Sequence, residues 1–77
     1  MDQKPQVDST TRSGVLNGWR WEAVIDKWQG GKYAIDSITL WDPQGTRQRP
    51  YLPREGSHDT LRGAEDEIER LLRDLVG

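Results

Sequence analysis

Between residues 18 and 52 the chain alternates large apolar and polar side chains and is cut by two turn signals, a pattern that directs it into an antiparallel meander. In residues 18–28, Trp19, Trp21, Ala23 and Ile25 alternate with Arg20, Glu22, Val24 and Asp26, the period of a strand with one buried face. Gln29-Gly30-Gly31-Lys32 follows, and a Gly-Gly pair predicts a two-residue hairpin turn with positive φ. Residues 32–41 read as a second strand, rich in β-branched and aromatic side chains. In Asp42-Pro43-Gln44-Gly45, Asp suits the first corner, Pro presets φ at the second, and Gly takes the left-handed position that closes a three-residue loop. Residues 46–52 complete a third strand, which Pro50 restricts to an edge.

These turns fix a register that can be checked against the hydrophobic pattern. The Gly30-Gly31 turn pairs Trp28 with Tyr33, Ile25 with Asp36, Ala23 with Ile38 and Trp21 with Leu40. The Pro43-Gln44-Gly45 loop pairs Leu40 with Gln48 and Trp41 with Arg47. One face then collects Trp19, Trp21, Ala23, Ile25, Ile38, Leu40, Pro50 and Leu52. A slip of one residue would bring arginines or carboxylates among them. Asp36 is the one misfit on that face.

Leu61, Ala64, Ile68, Leu71, Leu72 and Leu75 recur at three- and four-residue spacing, the stripe of a helix that lies on a sheet. Ser57, Asp59 or Thr60 can cap it, with Ser57 or Asp59 favoured. Gly63 falls inside this helix, where it costs roughly 1 kcal/mol relative to alanine unless it allows close approach. Residues 1–17 show neither period and read as a flexible tail. The fold class expected is therefore α+β: a three-stranded antiparallel meander (β-β-β-α) with one C-terminal amphipathic helix on one face. Residues 1–17 are its disordered N-terminal tail and residues 18–77 its single domain.

Little in this chain carries chemistry. There is no cysteine for a disulfide, a thiolate nucleophile or a thiolate metal site. His58 is the single histidine, beside Asp59, but neighbouring residues do not face one another as a catalytic triad requires. Glu65, Asp66, Glu67 and Glu69 lack a histidine partner and a calcium-loop spacing, and read as a solvated helix face. Gly30-Gly31-Lys32 joins two strands and lacks the frame of a phosphate loop. No enzymatic activity, cofactor, metal or small-molecule substrate is expected. No run approaches the ~20 apolar residues that cross a bilayer, and the start MDQKPQVDST lacks a signal peptide's apolar run. A soluble, cytoplasmic protein without membrane contact is the expectation.

The surface that remains is the sheet face opposite the helix. The register places Arg20, Trp28, Tyr33, Trp41, Arg47, Arg49 and Tyr51 there, with Trp28 opposite Tyr33 and Arg20 opposite Trp41. These residues are read as partner-binding, since Trp, Tyr and Arg are enriched at interface hot spots. The bland alternative is a face sealed by its own aromatic rings and arginine stems. Residues 59–77 carry six acids and three bases, while residues 1–58 carry seven acids and eight bases. The helix side is thus acidic and the sheet side mildly basic, although the pI of about 5.3 is far from the basic footprint usual in nucleic-acid domains.

Residues 18–24 (Gly-Trp-Arg-Trp-Glu-Ala-Val), Gly31-Lys32, residues 42–49 (Asp-Pro-Gln-Gly-Thr-Arg-Gln-Arg) and the helix that follows together resemble the arm-type N-terminal DNA-binding domains of phage integrases. The likeness spans roughly residues 18–75 and rests on strand and turn spacing. It implies three strands, one helix and a sheet face set in the DNA major groove, with Arg20, Arg47, Arg49 and Tyr51 toward DNA. The chain departs from that family in its acidic balance, and no recombinase catalytic domain follows. The same outline resembles several small bacterial proteins of unknown function. Two functions are therefore carried forward. One is a binding module for a protein partner or a second copy; the other is DNA or single-strand nucleic-acid binding through the same face.

Overall fold

The computed structural model describes residues 6–50, 52 and 57–76. Five elements follow in order: β1 (Gln6–Leu16), β2 (Trp19–Trp28), β3 (Tyr33–Trp41), β4 (Arg47–Gln48) and α1 (Leu61–Val76). The four strands form one antiparallel sheet in the order β1-β2-β3-β4. The α+β class and the C-terminal helix are as the pattern predicts; the strand count is not. The segment read as part of a flexible tail is the longest strand of the sheet. Its turn is Asn17-Gly18, both with positive φ (54° and 82°), the two-residue hairpin geometry that matches the twist of the flanking strands.

The core lies between one sheet face and α1. Ala23, Ile25, Ile38 and Leu40 from β2 and β3 meet Ala64, Ile68 and Leu72 from the helix, all at most 3% exposed. Ala23 and Ala64 are fully enclosed, so a small side chain on each side lets helix and sheet approach closely. α1 packs on β2 and β3, and β1 reaches it through Arg12, whose Nε donates to Glu65 Oε2 at 2.7 Å, while Leu16 packs against the core. Of the three candidate caps the helix uses Thr60 and neither favoured one: Thr60 Oγ1 accepts from the Gly63 N–H at 3.0 Å. A Cβ on Gly63 would lie 3.3 Å from the His58 side chain and from Thr60 Oγ1, so the glycine does serve close approach.

The second hairpin departs from its expected register and then returns to it. Its loop has three residues, closed by Trp28 N–H to Lys32 O at 2.8 Å and Gly31 N–H to Trp28 O at 3.0 Å. Gly30 and Gly31 both have positive φ, but Gln29 joins them in the loop. Lys27, not Trp28, therefore pairs with Tyr33, and Ile25 pairs with Ile35. A bulge between Val24 and Ile25 leaves Asp36 as the extra residue. Beyond it the expected pairs hold: Ala23 with Ile38, Trp21 with Leu40, Arg20 with Trp41. The bulge removes the misfit, since Asp36 is exposed while Ile35 packs against the core.

The third hairpin loop follows its turn chemistry. Gly45 N–H donates to Asp42 O at 2.8 Å, Asp42 N–H donates to Thr46 O at 3.0 Å, and Gly45 has φ 90°. The Asp42 carboxylate accepts from the Gln44 and Thr46 N–H groups, each at 2.9 Å. Leu40 pairs with Gln48 and Trp41 with Arg47, as expected. The strand is shorter than residues 46–52, because β4 ends at Gln48, just before Arg49 and Pro50. At the other end of β3, Tyr33 exchanges backbone hydrogen bonds of 2.8 Å with His58. No helix among the described residues is long and apolar enough to cross a membrane.

Candidate functional site

Strand alternation and the observed pairing place one row of side chains across all four strands on the face away from α1: Val15, Arg20, Trp41 and Arg47. Arg20 and Arg47 flank Trp41 from opposite sides. The Arg20 guanidinium carbon lies 4.1 Å from the Trp41 ring centroid, within cation–π range. Val15 is 70% exposed, Arg20 and Arg47 are exposed, and Trp41 is half-buried. The Asp42 clamp holds this row together, because it sets the hairpin that brings Arg47 opposite Trp41.

The next rows are mostly polar. Ser13, Glu22 and Thr39 line up, then Thr11, Val24 and Ser37, then Ser9, Asp26 and Ala34. Asp26 is 8% exposed. A hydroxyl-rich surface with an arginine–tryptophan rim can accept and donate hydrogen bonds along its length and offers one apolar ring for a partner side chain.

Of the seven residues expected on this face, Arg20, Trp41 and Arg47 come together. Trp28 has the same strand parity but sits eight residues along β2 from Arg20, about 26 Å at 3.3 Å per residue. Arg49 is exposed and lies one residue beyond β4. Tyr51 lies outside the described residues. Tyr33 is a correction: the three-residue loop turns it, with Ile35, onto the helix side, where both pack against the core. Lys27 Nζ lies 5.7 Å from its ring centroid. The expected Trp28–Tyr33 pair and the apolar patch built on Tyr33 and Ile35 therefore do not form. The hydroxyls of Ser9, Thr11 and Ser13 lie in a segment without a strand period, so alternation does not reveal them. The Asn17-Gly18 pair, a strong hairpin signal, is what could have found them.

Three of the helix glutamates have side-chain partners. Glu65 binds Arg12, and Glu69 binds Arg73 at 3.1 Å. Glu67 meets His58 Nε2 and lies 3.9 Å from Arg70. Among the described residues, no group of three or more His, Cys, Asp or Glu is placed to hold a metal ion. Beside α1, a cleft of about 360 Å³ opens over the part of the sheet that the helix leaves uncovered. Leu16, Trp21, Ile68 and Leu72 form its apolar wall, with Glu65 and Arg73 at the rim. Trp21 fits there because Gly14 opposes it: a Cβ on Gly14 would lie 3.0 Å from the indole.

Comparison of the chain with protein-family models, curated proteins and solved structures finds no match.

Proposed function

We propose that this protein is a non-enzymatic binding module that recognises a protein partner through the sheet face opposite α1, centred on Val15, Arg20, Trp41 and Arg47. The observation that carries the reading is the Arg20–Trp41 contact of 4.1 Å, with Arg47 paired to Trp41 from the strand on the other side. Arginine and tryptophan are the residues most often found at interface hot spots, and here they are pre-set by strand pairing. The partner chemistry that fits is an apolar side chain on Trp41 and Val15, flanked by carboxylates for the two arginines.

The same two arginines favour a second reading, nucleic-acid binding, to which the integrase-like outline also points. A tryptophan between arginines can stack a base and hold phosphates. The chain's net charge of −2 favours the protein reading.

Selection of displayed peptides against the wild type, with counter-selection on Trp41→Ala, tests the first reading. Acidic, apolar peptides that lose at least about tenfold in affinity on Trp41→Ala support it. A second arm titrates a mixed-sequence DNA duplex into labelled protein at low and at near-physiological salt. Amide shifts confined to Arg20, Trp41 and Arg47 that weaken steeply with salt, with no Trp41-dependent peptide recovered, overturn it in favour of the nucleic acid.

A further inference from the structure

Among the described residues β1 ends the sheet, and its outer edge is built to be paired. Asn17-Gly18 is a two-residue turn, so Leu16 and Trp19 form the hydrogen-bonded pair that closes the hairpin. In an antiparallel ladder such pairs recur at every second residue, here Gly14–Trp21, Arg12–Ala23 and Thr10–Ile25. The backbone N–H and C=O groups of Ser9, Thr11, Ser13 and Val15 therefore point away from β2. Two local contacts agree with that parity. The Ser9 N–H donates to the Asp8 carboxylate at 2.8 Å, and the Thr11 carbonyl accepts from Arg12 Nη1 at 3.4 Å. Asp8 and Arg12 are folding back onto groups that a neighbouring strand would otherwise take.

Exposed edges are usually protected by proline, lysine, a bulge or brevity. β4 has this protection, with two residues and Pro50 close behind. β1 runs for 11 residues with no proline and no lysine inside it, Lys4 and Pro5 preceding it in the sequence, and its irregularity lies at the start, between Gln6 and Asp8.

We infer that β1 pairs antiparallel with β1 of a second copy of this chain, about a two-fold axis through Thr10. Charge selects that register. It sets Asp8 of each copy opposite Arg12 of the other, and Ser9 opposite Thr11 with their outward backbone groups facing. An axis through Thr11 sets Asp8 opposite Gly14 and gains no ion pair, while an axis through Arg12 sets two arginines together. The Arg12 fork has donors enough to hold Glu65 through Nε and turn Nη1 to the second copy. The product is an eight-stranded sheet with both helices on one side and both Arg20–Trp41–Arg47 rows on the other. The inference uses the edge of the sheet and stands independently of what the face binds.

Sedimentation of the full chain from micromolar to millimolar concentration tests it. The wild type is expected to pass from 8.9 kDa to twice that mass. Thr11→Pro removes an outward N–H and leaves the β1–β2 ladder intact, so it is expected to stay at the lower mass. Charge reversal provides a readout that survives if that proline impairs folding. Asp8→Arg alone and Arg12→Asp alone each turn two attractive cross-strand pairs into repulsive ones and should weaken self-association by about tenfold. An equimolar mixture of the two variants restores both pairs and should associate at wild-type strength. A wild type that stays at 8.9 kDa throughout overturns the inference and leaves the edge to a strand of another protein. A dimer equally strong in both reversal variants, or a mixture no tighter than either alone, also overturns it.

Discussion

Asp59 accepts a charged hydrogen bond from Lys32 Nζ, joining the loop after β2 to the start of α1. That bond, and then the lysine's charge, hold the Asp59 carboxyl below the ordinary carboxylate range. Both side chains are open to water, so the pair's weight in stability is small. Its sign is definite. A carboxyl lowered by folding contributes above its unfolded pKa, and the contribution fades as pH falls through the folded value. Lys32→Met should therefore move the Asp59 titration upward to the ordinary range, read from side-chain carboxyl carbon shifts; an unmoved titration would show that the pair does not persist in solution. Asn17 works at the same scale. Its positive φ makes the first turn, and its side-chain amide donates to the Val76 carbonyl at 3.3 Å, tying that turn to the end of α1. The dipeptide with Gly18 was readable as a turn; the tie to Val76 was not, since it joins residues far apart in sequence.

Among the elements, β2 and β3 were legible because one face of each is buried, and a buried face leaves a period-2 trace. β1 leaves almost none. Its helix-side positions are Asp8, Thr10, Arg12, Gly14 and Leu16, and only the last is a large apolar residue, because α1 lies over β2 and β3. A strand beyond the helix's reach has no reason to alternate. The bulge at Asp36 was half-legible: a carboxylate on the core face signalled a fault, without saying whether the strand or the loop would give way. Both did, and the extra loop residue Gln29 is compensated at Asp36, so Ala23 still meets Ile38. Two single deletions test that account. Removing Asp36 closes the bulge with every inward side chain kept, and the fold should survive with little change in melting temperature. Removing Ile35 puts Asp36 opposite Ile25, in the core, and should cost at least the roughly 2–5 kcal/mol that a large-to-small change there would, read by denaturant unfolding. Equal losses from the two deletions would refute the bulge assignment.

At the scale of the molecule, stability rests on a thin layer. Ile25 and Ile38 are the largest fully buried side chains, and a domain of this size buries a smaller share of its chain than a larger one does. Ile38→Ala should lose about 2–5 kcal/mol, a large part of the total such a domain holds. Chemical denaturation measures it, and a loss below about 1 kcal/mol would mean that the sheet and helix do not meet as described. The sequence by itself determined the helix, the two central strands, the Asp42 turn and the meeting of Arg20, Trp41 and Arg47, since each depends on residues close in the chain or on one repeating period. Only the tertiary structure decided that β1 joins the sheet, that Tyr33 and Ile35 face inward, and that β4 stops at Gln48. Those outcomes depend on what lies opposite each segment: the reach of one 16-residue helix, a loop one residue longer than its glycines require, and the backbone bonds that β2 offers on its outer side.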